Sequence, residues 1–224
     1  MLVIAIDGAC RRNGKPDCIA SGGIYIEQYS DAGNREQTKA LSCYEVQSTN
    51  QRGELLALLT ALDYIWAAKQ PTQVITDSEY IFNAMTKEWF VGWESRDWKT
   101  ASFEPVKNSD MWREIKHSYD KCKNDDIDVT FYHIKGHCIP FGKVTANTLL
   151  SKDMSGQILC NEVYKKYDSV AASKADKLQE AQELSIKNNG FKLEDWLLRR
   201  FVVINTMADA IATKCVEAAD SLMS

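Results

Sequence analysis

The feature that most restricts what this chain can fold into is a five-residue apolar run at its start, Leu2-Val3-Ile4-Ala5-Ile6, stopped at once by Asp7. The run is too short for a secretory h-region and has no basic leader, so it reads as a buried first strand. Such a strand needs a sheet around it. Ser21 to Glu27 and Gln37 to Val46 supply two more strands, with Gly- and Asn-containing turns between them, and Val74 to Asp77 and Val129 to Ile134 are the fourth and fifth. Helical patterns fill the gaps after the third strand, over Gly53 to Ala68, Ser78 to Thr86 and Ser109 to Lys121. Three closely linked strands followed by strand-helix alternation predict an α/β protein, a five-stranded mixed sheet flanked by helices.

The remaining segments are less regular. Trp89 to Pro105 mixes Trp89, Trp93 and Trp98 with charges and reads as a surface protrusion. From Cys138 to about Ile204 the chain is helical and polar, with a solvated helix pair expected over Tyr164 to Ile186 and an amphipathic piece over Phe191 to Val203. A last helix is expected from about Met207 to Leu222, apolar at Ala208, Ile211, Ala212 and Val216. At 224 residues there is room for one domain with a sizeable insertion. Seven scattered cysteines without a C-x-x-C pair favour a reducing compartment, hence a cytoplasmic setting, and no stretch has the length of a membrane span. The net charge of −4 does not advertise a nucleic-acid binder, so any such binding must come from local patches.

Four acids occupy places where sites form in open α/β sheets. Asp7 ends the first strand, Asp77 ends the fourth, Glu54 opens the first helix and Asp209 opens the last. Glu54 has a structural explanation too, since an acid near a helix N-terminus interacts favourably with the macrodipole. Four carboxylates brought together without a cation would repel and be driven to protonate, whereas a hard divalent metal such as Mg²⁺ resolves the conflict. The chemistry such a cluster serves is in-line displacement at phosphorus. From patterning alone, four unrelated surface acids remain an equal alternative. His133, His137 and Cys138 also invite a zinc reading, but no second ligand pair completes a tetrahedron. His117, on a charged helix, reads as solvated.

The residues themselves carry a resemblance. "IDGACRRNG" (Ile6 to Gly14), "TNQRGE" (Thr49 to Glu54), "TDSEYI" (Thr76 to Ile81), "WKTASFEPVKNSDMW" (Trp98 to Trp112) and "IKGH" (Ile134 to His137) follow the order and spacing of type 1 ribonuclease H. "NTMADAIA" (Asn205 to Ala212) resembles the closing N-x-x-x-D helix of that family. The resemblance implies the ribonuclease H-like fold and endonucleolytic hydrolysis of the RNA strand of RNA/DNA hybrids, leaving 3′-hydroxyl and 5′-phosphate ends. It also implies two Mg²⁺ ions, with Mn²⁺ a possible substitute. Asp7, Glu54, Asp77 and Asp209 match the metal-binding carboxylates, Asp7 bridging both ions, Asp209 on the nucleophile side and Glu54 and Asp77 on the leaving-group side. Glu54 would also sense a ribose 2′-hydroxyl. His137 matches the loop histidine that assists product departure or proton transfer. Among substrate contacts, Asn13 and Gln51 match residues at the RNA minor groove and Thr49 and Asn108 match parts of a pocket for a DNA phosphate. Trp89 and Trp93 match aromatics along the DNA strand, with plain packing as the alternative.

The chain also departs from that pattern. In the protrusion Lys87, Arg96, Lys99 and Lys107 are balanced by Glu88, Glu94, Asp97 and Glu104, which weakens phosphate attraction. Glu79 stands where the family often has glutamine, and Gln47 where it often has arginine. His137 and Asp209 are 209 − 137 = 72 positions apart where the family has a short link. Residues 1–137 and 205–224 are therefore expected to form the catalytic domain, and residues 138–204 a helical insertion reaching over the active site. The insertion has ten Lys or Arg against eight Asp or Glu, and Lys165-Lys166 and Arg199-Arg200 read as a solvated face, with nucleic-acid contact as the lesser reading. Within it, "SKADKL" at Asp176 imitates the closing motif, but Asp209 has Asn205 one helical turn before it and is preferred. Because the chain begins at the first strand, no separate hybrid-binding domain upstream is expected. A resolvase- or integrase-like nuclease would lack the T-N-x-R-x-E and W-K-T-A signatures. A non-catalytic nucleic-acid-binding or assembly module is the alternative from another class. Protein partners are not specified by the sequence, no membrane is expected, and a monomer is favoured.

Overall fold

The computed structural model describes residues 1–136 and 175–223. Five strands, β1 (Leu2–Arg11), β2 (Ile19–Tyr29), β3 (Arg35–Val46), β4 (Thr72–Thr76) and β5 (Val129–His133), form one mixed sheet in the order β3-β2-β1-β4-β5. β1 pairs antiparallel with β2 and parallel with β4, β2 pairs antiparallel with β3, and β4 pairs parallel with β5. The apolar start of the chain is thus the central strand. Leu2 to Ile6 are all buried because β1 has strands on both edges and helices on both faces, whereas the edge strand β3 alternates between half-buried and exposed positions.

One face carries α1 (Asn50–Ala68), α2 (Glu79–Thr86), α3 (Trp89–Ser95) and α4 (Ser109–Asn124). Thr49 caps α1 by accepting the Arg52 N–H, and Lys69 closes it in the left-handed region. Leu55, Leu58, Leu62 and Ile65 turn inward onto Ile4, Ile6 and Ile24, joined by Trp112 and Ile115 of α4. The other face carries α5 (Ala175–Asn189) and α6 (Asp195–Met223), where Leu198, Phe201, Val202 and Ile204 pack on Val3, Ala5, Tyr25 and Ile75.

This second layer corrects the expected organisation of the C-terminal part. The expected pieces over Phe191 to Val203 and Met207 to Leu222 form a single 29-residue helix, α6, and the boundary drawn at residue 205 falls inside it. Residues 198 and 201–204 are as buried as those after the boundary, so they belong to the core of the sheet. Of the Arg199-Arg200 pair, Arg200 is not part of a solvated face. The Arg200 guanidinium donates to Glu27 Oε2 from Nη2 at 2.9 Å and from Nε at 3.2 Å, and lies 4.0 Å from the centre of the Tyr29 ring. Lys165 and Lys166 lie outside the described residues. No helix among the described residues is long and apolar enough to cross a membrane.

Candidate active site

The packing of two helices against β1 and β2 brings distant carboxylates to Asp7. In the strand register Asp7 faces Gly23. A Cβ on Gly23 would lie 2.1 Å from the Ala208 carbonyl oxygen, so only glycine lets α6 seat there, and Asp209 is the next residue along. From the opposite face, a Cβ on Gly8 would lie 2.6 Å from the Glu54 amide nitrogen, so α1 abuts the strand directly after Asp7 with Glu54 just past its opening turn, not opening the helix as expected. Asp77 follows the last residue of β4, the parallel neighbour of β1.

The electrostatic result is mutual. Asp7, 8% exposed, has its pKa driven well above the ordinary aspartate value, first by burial, then by the charges of Asp77 and Asp209 and more weakly by Glu54. One hydrogen bond opposes this, the Gly8 N–H donating to Asp7 Oδ1 at 2.7 Å. Burial also raises Glu54, with Asp77 adding to it, while the Ser78 hydroxyl, donating to Glu54 Oε2 at 2.6 Å, pulls it back. Asn50 Nδ2 holds the other oxygen at 3.3 Å. Ser78 and Asn50 did not stand out in the sequence, although both lie inside the quoted motifs. Asn205, one turn before Asp209, is buried, and its Oδ1 finds no partner among the described residues.

Among the described residues no three His, Cys, Asp or Glu side chains stand close enough to cage a metal ion by themselves. The donor chemistry nevertheless fits one. Acceptor-only groups, among which Asp7 and Glu54 are raised by burial and by neighbouring acid charge, are relieved by a hard divalent cation that also takes water and phosphate oxygens. The zinc alternative loses a ligand, because both ring nitrogens of His133 are engaged, Nε2 with the Asp77 carbonyl oxygen and Nδ1 with Asn188. Burial lowers the His133 pKa against the opposing pull of Asp77 and Glu79. His137 and Cys138 lie outside the described residues, as does the side chain of Asp176.

The other singled-out residues fall into two groups. Asn108, in the left-handed conformation before α4, donates from Nδ2 to Gln51 Oε1 at 3.1 Å, which joins two of them beside the α1 cap residue Thr49. Arg52 braces this corner, paired with Glu45 and Asp110. Asn13 is exposed in the β1–β2 turn. Trp89 and Trp93 are half-buried with ring centres 6.0 Å apart, and Trp93 also packs on Trp112, so packing accounts for part of each. Their other edges line a groove with Lys87, Arg96 and Thr100. Trp98 is buried under Arg113.

Residues 1–152 match the RNase H family profile. The chain belongs to the ribonuclease H family. It is 34% identical over 153 residues to a ribonuclease H of Alcanivorax borkumensis, covering 67% of this chain and 89% of that protein. A ribonuclease H of Cupriavidus pinatubonensis is 34% identical over 156 residues, with 69% and 95% covered. One of Agrobacterium fabrum is 38% identical over 136 residues, with 60% and 81% covered. Among solved structures LC9-RNase H1, a type 1 RNase H with the type 2 active-site motif, is similar in fold at a TM-score of 0.50 and 23% identity, over 65% of each chain. The enzyme is therefore a ribonuclease H, and the family match ends well before Asp209.

Proposed function

We propose that this ribonuclease H cleaves the RNA strand of RNA/DNA hybrids internally, leaving 3′-hydroxyl and 5′-phosphate ends, with two Mg²⁺ ions, or Mn²⁺ in their place, held by Asp7, Glu54, Asp77 and Asp209. The observation that carries the reading is the seating of Ala208 on Gly23, the strand partner of Asp7, which brings Asp209, 209 − 7 = 202 positions along the chain, into the surroundings of Asp7, where its charge acts on it. Divalent ions bound there would supply the positive charge that water attack at phosphorus and departure of the 3′ oxygen both require. The chain's own part is orientation. The Gly8 amide fixes Asp7, and Ser78 and Asn50 fix Glu54, leaving it able to accept from a ribose 2′-hydroxyl.

Asn13 and Gln51 then meet the RNA minor groove, Thr49 and Asn108 a DNA phosphate, and Trp89 and Trp93 the DNA strand. His137 assists product departure or proton transfer. Within this reading residues 138–204 are an insertion into the catalytic sequence, with α5 and the first turns of α6 recruited to the sheet. A monomer in the cytoplasm is the matching setting, and the described cysteines are free thiols. A non-catalytic module would have no use for acids gathered around the buried Asp7.

A hybrid labelled on the RNA strand, incubated with Mg²⁺ and with EDTA, tests the proposal. Cleavage should need the metal, give 5′-phosphate products and fail at a single 2′-deoxy position. Equal cutting of an all-DNA duplex would overturn it.

A further inference from the structure

Behind the carboxylates, the end of β5 holds a buried polar assembly that α5 completes. His133 is 3% exposed. Its Nε2 lies 3.1 Å from the Asp77 carbonyl oxygen and its Nδ1 lies 2.8 Å from Asn188 Nδ2. A carbonyl oxygen can only accept, so Nε2 carries the ring proton, and the Asn188 amide N–H donates into the bare Nδ1. The adjacent Asn189 grips the same residue by its main chain. The His133 N–H donates to Asn189 Oδ1 at 2.9 Å, and Asn189 Nδ2 donates to the His133 carbonyl oxygen at 2.9 Å. The last turn of α5 thus presents two amides, one to the backbone of β5 and one to the ring that reaches Asp77.

We propose that His133 and Asn188 are positioning residues for Asp77: the α5 amide fixes the imidazole, the imidazole fixes the Asp77 carbonyl, and the carbonyl fixes how the Asp77 carboxylate enters the site. Packing alone does not call for polar groups here. The ring neighbours Phe82 at 5.7 Å, where an apolar side chain would serve, and buried polar groups are costly unless their hydrogen bonds are made. Asp77 sits between the end of β4 and Ser78, the residue before α2, so the orientation of its peptide plane decides where its side chain points. Gly136 presses from the other side, where a Cβ would lie 1.8 Å from Asp77 Oδ2. The carboxylate is therefore held from the strand end and walled by the segment after β5. The inference rests on Asp77 being a metal ligand, and it makes part of the insertion a support for the catalytic centre.

The test uses the full chain. In metal-free wild type, long-range proton-nitrogen NMR correlations should report His133 as the single Nε2–H tautomer. Asn188→Leu leaves both Asn189 bonds in place and should release that tautomer. It should also weaken Mn²⁺ affinity, followed by calorimetry, about tenfold and lower kcat on a hybrid by a similar factor, with KM unchanged. Asp77→Asn is the reference. If it binds Mn²⁺ and cleaves like wild type, the reading of Asp77 fails and the proposal with it. If Asp77→Asn is impaired while folded Asn188→Leu keeps wild-type Mn²⁺ affinity and kcat, or loses only thermal stability, the positioning role alone is refuted. Should Asn188→Leu not fold, His133→Phe fills the site without offering Asp77 a donor, and His133→Gln offers one. Mn²⁺ affinity should then be higher for His133→Gln, and equal affinities would refute the role.

Discussion

Arg200→Met should destabilise the protein by about 3 kcal/mol, the lower end of the cost of breaking a buried ion pair. Glu27 is 0% exposed, and its carboxylate is bound by the Tyr29 hydroxyl at 2.6 Å, Arg35 Nη1 at 3.1 Å and Arg200 at 2.9 and 3.2 Å. Removing Arg200 leaves Arg35 to neutralise the charge, which is why the lower end applies. For a domain of this size each kcal/mol moves the midpoint by roughly 2–4 °C, so a fall of about 6–12 °C is expected in a thermal melt. Glu27→Leu combined with Arg200→Met should cost less than the sum of the single changes, because the second substitution no longer strands a charge. Arg200 is spent on Glu27, so hybrid binding by folded Arg200→Met should show the same salt slope as wild type. A change below about 0.5 kcal/mol, or strict additivity in the double mutant, would refute the buried triad. A shallower salt slope would return Arg200 to the substrate.

Asp7→Asn should abolish most cleavage, by orders of magnitude, and in EDTA should raise the thermal midpoint at neutral pH. The sign follows from the raised folded-state pKa: the native state disfavours the charged form, so the gain from Asn is absent below the ordinary aspartate range near pH ~4 and grows as pH rises above it. A midpoint difference independent of pH would count against it. Gly136→Ala should push the Asp77 carboxylate aside and lower kcat roughly 100-fold, comparable to other small misplacements at a reacting centre, with the fold intact in far-UV circular dichroism. Asp209→Asn should cost far more activity than Asp176→Asn in the same hybrid assay, and the reverse ranking would move the fourth ligand to α5.

The catalytic half of the fold was legible because its signals are local. Leu2 to Ile6 could only be a buried strand, and the apolar periodicity after Gly53 marked α1, although the helix starts earlier, at Asn50, behind the Thr49 cap. Of the expected acids only Asp77 sits at an element's end, directly after β4; Asp7 lies inside β1 and not at its end, and Glu54 lies one turn into α1 and not at its opening. The ends of the insertion were not legible. Val202, Val203 and Ile204 are β-branched and have low helix propensity, yet tertiary burial carries one helix through the gap left between Val203 and Met207. The role of Arg200 was hidden because charge pairing with Glu27 joins residues 173 positions apart. His133 drew notice only as a zinc candidate and a strand residue, since its partners Asn188 and Asn189 come from a distant helix end.

The continuity of α6 changes the physics of the fourth carboxylate. Asp209 was expected to open a helix, where the macrodipole would stabilise its charge within the first turn. It sits instead midway along a 29-residue helix whose earlier turns are buried against β1 and β4. No helix terminus offsets its charge there, and that charge acts on Asp7. The position of Asp209 is set by Ala208 against Gly23 and by Phe201 and Ile204 against the sheet, not by a flexible cap. Residues 195–223 are thus one helix, and a substitution that shifts α6 along the sheet is expected to move Asp209 with it.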